Sequence, residues 1–174
     1  MQDAFHRLGL PRRFVLDAGD LERAYLARSR AVHPDFHLTG SSADLDASLE
    51  LSAAVNEAYN IIRDPFARAE HLLALEGGPT AADHKQVPPM FLAEMLDARE
   101  EVEQARGAPA ETERLGRAFA ARFDGLMGEV AGLFEKLDAM PPGAADRANL
   151  RAGVRGLLNA AKYVRGLVRD LHTD

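Results

Sequence analysis

The chain contains no cysteine. That excludes a disulfide framework, a thiolate metal site and a cysteine nucleophile. It also lacks tryptophan, and aromatic residues make up only 6% of its 174 positions. Ala, Leu, Glu and Arg abound instead, a mixture that favours helix over strand, so the expected fold class is all-α. No apolar run reaches membrane-spanning length, and Met1 to His6 offers no basic segment followed by an apolar one; a soluble cytoplasmic protein without a membrane partner is expected. A formal net charge of −6 argues against nucleic acid as a partner, because neutralising phosphates needs a basic surface. What is present is globular: 47% hydrophobic and 28% charged residues, in a chain long enough to bury a core as one large domain or two small ones.

Helical periodicity organises the sequence. Phe5 and Leu8 mark a short helix over about 3–8, ended by Gly9 and Pro11. The next helix runs from Leu21 to Val32 behind an Asp20 N-cap, with Leu21, Ala24, Tyr25 and Val32 inward and Arg23 and Arg30 on the opposite face. Arg28 projects onto the apolar stripe and is expected to snorkel past the core edge. After a polar loop, a helix over about 43–63 turns Leu45, Leu49, Ser52, Val55, Tyr59 and Ile62 inward, making an antiparallel hairpin with its predecessor. Asp64 and Pro65 interrupt, and a last helix of this unit ends at Gly77 and Gly78. The stretch 77–88 is rich in breakers and reads as a connecting linker. Beyond it, helices at about 89–105, 110–139 and 144–172 with short connections predict an antiparallel three-helix bundle over 89–174. Its stripes are Phe91, Met95, Ala98 and Val102; Leu115 through Leu137; and Leu150, Val154, Leu157, Ala161, Val164, Val168 and Leu171.

The tripeptide His33-Pro34-Asp35 stands between the hairpin helices. Pro34 lacks an N–H and disfavours helical geometry in the residue before it, so it stops the preceding helix and presents His33 and Asp35 on a turn. With Phe5, Leu8, Tyr25 and Asn56-Glu57-Ala58-Tyr59, this pattern resembles the J-domain family. The segment Arg68-Ala69-Glu70-His71-Leu72-Leu73, followed by the bundle segment from Phe91 to Glu101, narrows the resemblance to HscB, the J-type co-chaperone of iron–sulfur cluster assembly.

The resemblance implies an N-terminal J-domain helical hairpin over 1–76 and a scaffold-binding C-terminal bundle of the HscB oligomerisation type. It implies that the J-domain stimulates ATP hydrolysis by an HscA-type or DnaK-type chaperone, and that the bundle carries an IscU-type scaffold to it. The chaperone contacts would be His33, Pro34 and Asp35, with Arg23 and Arg30 as electrostatic contacts. The scaffold contacts would be Leu92, Leu96, Asp97, Glu100 and Tyr163, which lie off the inward stripes. The chain would itself hydrolyse nothing and hold no cofactor or metal. It departs from the family at Phe36, where many J-domains carry a basic residue, at Ala93 and Asp97, which are smaller than in some relatives, and at Arg28, usually a core leucine. A J-domain co-chaperone for a different client is the alternative. The rival pattern for catalysis or metal ligation is His33-x-Asp35-x-His37, with no supporting Glu/His pair at helical spacing and no phosphate-binding glycine loop elsewhere.

Overall fold

The computed structural model describes residues 3–32, 42–85, 87 and 89–171. Every regular element among them is a helix: α1 (Ala4–Leu8), α2 (Ala18–Val32), α3 (Ser42–Arg63), α4 (Pro65–Leu75), α5 (Pro89–Gln104), α6 (Pro109–Ala139) and α7 (Asp146–Asp170). The chain divides into two compact units, 1–72 and 73–174, with the division inside α4.

In the first unit α2 and α3 form the hairpin, and α1 packs against both. Phe5, Leu8, Phe14, Leu21, Val55, Ile62 and Leu72 are buried between them, each large side chain contributing roughly 1.5–3 kcal/mol. Asp17 begins α2: its carboxylate accepts the Asp20 N–H at 2.9 Å. The expected cap, Asp20, instead lies inside the first turn, because the free helical N–H groups start three residues earlier than the apolar stripe does. The buried line of α3 is Ser48, Val55, Ala58 and Ile62. Leu49, expected inward, is 51% exposed; the face turned to α2 is set by the two serines described below. Asp64 caps α4 through the Phe66 N–H at 3.0 Å, with Pro65 at the first helical position, where its missing N–H costs nothing. Arg68 donates to the Ile62 carbonyl at 3.0 Å and lies over the Phe14 ring at 5.1 Å, and burial lowers its pKa from the usual arginine value against the pull of Asp64. His71 accepts the Ala4 N–H through Nε2 at 3.1 Å and stacks on Phe5.

In the second unit the three long helices run up, down and up. Glu101 pairs with Arg114 at 3.6 Å and Glu94 with Arg122 at 3.5 Å, a register that makes α5 and α6 antiparallel. α7 packs on both. Phe91, Val102, Leu115, Val130, Phe134, Leu137, Val154, Leu158 and Val164 fill the core. In α7 the buried positions extend beyond the expected stripe. Leu158 and Leu167 are buried where Leu157 and Val168 were expected, and so are Arg155 and Asn159.

The reason lies in the segment after α4. Gly77, at φ 68°, closes α4 by donating to Ala74, while the Gly78 N–H donates to Leu73, the paired bonds of a Schellman motif. A Cβ on Gly78 would come within 2.2 Å of the Leu73 side chain. From there the chain runs along α7 as a strap. Arg151 donates to the Glu76 carbonyl at 2.6 Å, Arg155 to Pro79 at 3.0 Å and Asn159 to His84 at 2.7 Å. Arg147 pairs with the Glu76 carboxylate and also donates to the Leu137 and Met140 carbonyls, at 2.6 and 3.0 Å. Three polar side chains at successive helical turns, Arg151, Arg155 and Asn159, thus satisfy carbonyls that a non-helical segment cannot pair itself. The stretch read as a connecting linker is fastened along α7 over its described part.

Candidate functional site

The first candidate surface is the outer face of α2. The inner face is fixed by a clasp to α3: Tyr25 and Tyr59 stack at 4.1 Å, Tyr25 donates to Asn56 at 3.0 Å, and Tyr59 donates to Glu22 at 2.7 Å. The Glu22 bond raises the Tyr59 hydroxyl pKa. At the end of α2 the Val32 carbonyl accepts two hydroxyls from α3, Ser48 at 2.7 Å and Ser52 at 2.9 Å, which satisfies a terminal carbonyl that would otherwise lack a partner. This clasp leaves Arg23 and Arg30 exposed, seven residues apart and so on one side of the helix. Arg23 pairs with Asp20 within its own helix. Leu26, 42% exposed, lies on the same side; it was passed over in the sequence, although its position off the inward stripe was the available signal. His33, Pro34 and Asp35 lie outside the described residues, as does His37.

The second candidate surface is a groove of about 760 Å³ between α5 and α7. Leu92, Leu96 and Tyr163 line it and are 41%, 65% and 49% exposed. Phe91 supports the Tyr163 ring edge-on at 6.3 Å. Met95, expected wholly in the core, is half-buried and shared with the groove. The structure brings Leu92, Leu96 and Tyr163 together but not the two acids: Asp97 and Glu100 are exposed on α5 and do not line the groove, lying about 140° and 80° round the helix from Leu92. Lys85, Arg99 and Lys162 do line it. None of the three was singled out in the sequence: Lys85 lies in a breaker-rich stretch without a periodic signal, and Arg99 and Lys162 are single charged residues on exposed helix positions. Among the described residues no cluster of His, Asp and Glu could hold a metal ion, and no helix is long and apolar enough to cross a membrane.

Comparison with known proteins places the chain in a family. Residues 87–152 match the family model of the HscB C-terminal oligomerisation domain. The co-chaperone protein HscB homolog of Chromobacterium violaceum is 37% identical over 139 residues, which cover 79% of this chain and 75% of that one. This chain belongs to the HscB co-chaperone family. The HscB homolog of Vibrio vulnificus strain YJ016 is 32% identical over 92% of this chain and 95% of its own, so the HscB likeness takes in both units. The human HscB crystal structure superposes with a TM-score of 0.82 at 24% identity, over 98% of this chain and 81% of that chain. The HscB fold is therefore that of this chain: all-α, with a J-domain hairpin and a C-terminal three-helix bundle.

Proposed function

We propose that this HscB-family chain is a J-domain adaptor that stimulates the ATPase of an HscA-type or DnaK-type chaperone and delivers an IscU-type scaffold to it for iron–sulfur cluster assembly or transfer. In this reading residues 1–76 form the chaperone-facing part and 89–174 the scaffold-facing part, and the chain performs no chemistry of its own. His33, Pro34 and Asp35 dock on the chaperone, Asp35 offering a charge-assisted acceptor to a cationic group, while Arg23 and Arg30 steer an acidic partner face. Leu92, Leu96 and Tyr163 take the scaffold, with Asp97 and Glu100 at the outer edge. The observation that carries the reading is one HscB-family chain with both a solvent-facing basic side of α2 and an apolar groove on the bundle.

The test separates the two parts. The double substitution Leu92→Glu and Leu96→Glu should weaken scaffold binding by a factor of about 100 or more, in line with truncating central interface residues. Stimulation of chaperone ATP turnover by the variant alone should stay at the wild-type level. Equal loss of both would contradict the division of labour.

A further inference from the structure

The groove between α5 and α7 has an apolar floor and a basic edge, although the chain as a whole carries a net charge of −6. Its floor is built from Leu92, Met95, Leu96, Tyr163 and Leu167. Around that floor stand Lys85 from the strap, Arg99 from α5 and Lys162 from α7, all exposed. The three arginines of α6 are each answered by acids: Arg114 by Glu111 and Glu101, Arg117 by Glu113, Arg122 by Glu94. Lys85, Arg99 and Lys162 form no ion pair among the described residues. The one acid lining the groove, Asp170, pairs with Arg169 at 3.4 Å.

We infer that this groove takes an apolar segment of the scaffold protein flanked by carboxylates, with Lys85, Arg99 and Lys162 as the cationic rim that receives them. The inference rests on the reading of this surface as the scaffold site and specifies the chemistry of what binds. Burying the aliphatic side chains of the segment against the floor supplies the non-directional part of the affinity. The rim supplies orientation and association rate, because charges at the edge of an apolar contact act through a partly excluded solvent. The strap is part of the site. Asn159, itself buried and lining the groove, donates to the His84 carbonyl and so holds Lys85, the next residue, at the wall. Asn159 is a positioning residue for the rim.

The test is calorimetric titration of the full chain with a purified IscU-type scaffold in low salt and high salt, comparing wild type, Leu92→Glu/Leu96→Glu and Lys85→Glu/Lys162→Glu. Both lysines are exposed, and a far-UV circular dichroism melt of the variant checks that its fold is retained. The rim predicts that the lysine reversal weakens binding about tenfold or more at ~50 mM salt, and that the gap narrows to about twofold at ~500 mM as screening shortens the reach of the charges. Tighter binding by the lysine reversal, or binding within about twofold of wild type at low salt, overturns the rim. If the leucine variant loses binding in the same experiment, the scaffold reading stands while the rim falls. Absence of wild-type binding to the scaffold overturns both.

Discussion

Ser48 and Ser52 show how single residues set the chaperone-facing part. Both donate to the Val32 carbonyl, the last described group before His33, and Ser48 is only 4% exposed. Replacing both by Ala leaves that carbonyl short of partners, at an expected cost of about 1–3 kcal/mol for the pair, read as a shift of the urea midpoint without change of slope. At the other end of the same unit Asp3 accepts the His6 N–H and pairs with Arg12 at 2.6 Å. Burial alone would raise its pKa, but the Arg12 and His6 bonds outweigh burial and lower it. A lowered folded-state value means that its contribution is fully present above the unfolded carboxylate pKa, about 3.9, and is lost as pH falls through the folded value. The stability difference between wild type and Asp3→Asn should therefore be constant near neutral pH and shrink only below about pH 4, followed by thermal melts across that range. Neither contact could be read from the sequence. A serine on a helix or an aspartate before one has several possible acceptors or donors, and tertiary placement chooses among them.

At the scale of elements, α7 and the strap carry the second unit. The periodicity of α7 placed Val154, Ala161 and Val164 correctly in the core, since a helix packed on two neighbours must bury one continuous face. It did not reveal that Arg155 and Asn159 are buried too. Polar residues on a predicted outer face signal solvent unless a backbone segment in need of donors lies over them, and such a segment has no period to betray it. The asparagine and arginine rungs are testable by hydrogen exchange. Arg155→Met with Asn159→Ala removes two of the side-chain bonds to 79 and 84 while keeping much of the volume at 155. Amides of 77–85 should exchange about tenfold faster or more, equivalent to loss of about 1.4 kcal/mol of local protection, whereas amides in the middle of α6 should be unchanged. Uniform acceleration would mean global destabilisation and no separate strap.

On the scale of the whole molecule, the helical class and the bundle were legible because composition and a period near 3.6 persist over long stretches. The candidate sites were legible to different degrees. Leu92, Leu96 and Tyr163 could be singled out through the HscB resemblance, which their positions as large residues off the inward stripes supported, and they share one groove. Asp97 and Glu100 came with them through the HscB resemblance; they lie round α5 from Leu92 and outside the groove, which is edged by cations from three separate segments. The central claim, that this HscB-family chain acts on a chaperone through its J-domain, is tested most directly by steady-state ATP turnover of the purified HscA-type chaperone with wild type or Asp35→Asn, each with and without scaffold. The account predicts stimulation by wild type that rises further when scaffold is present, and no stimulation by the folded Asp35→Asn variant under either condition. Wild-type stimulation by Asp35→Asn would contradict it.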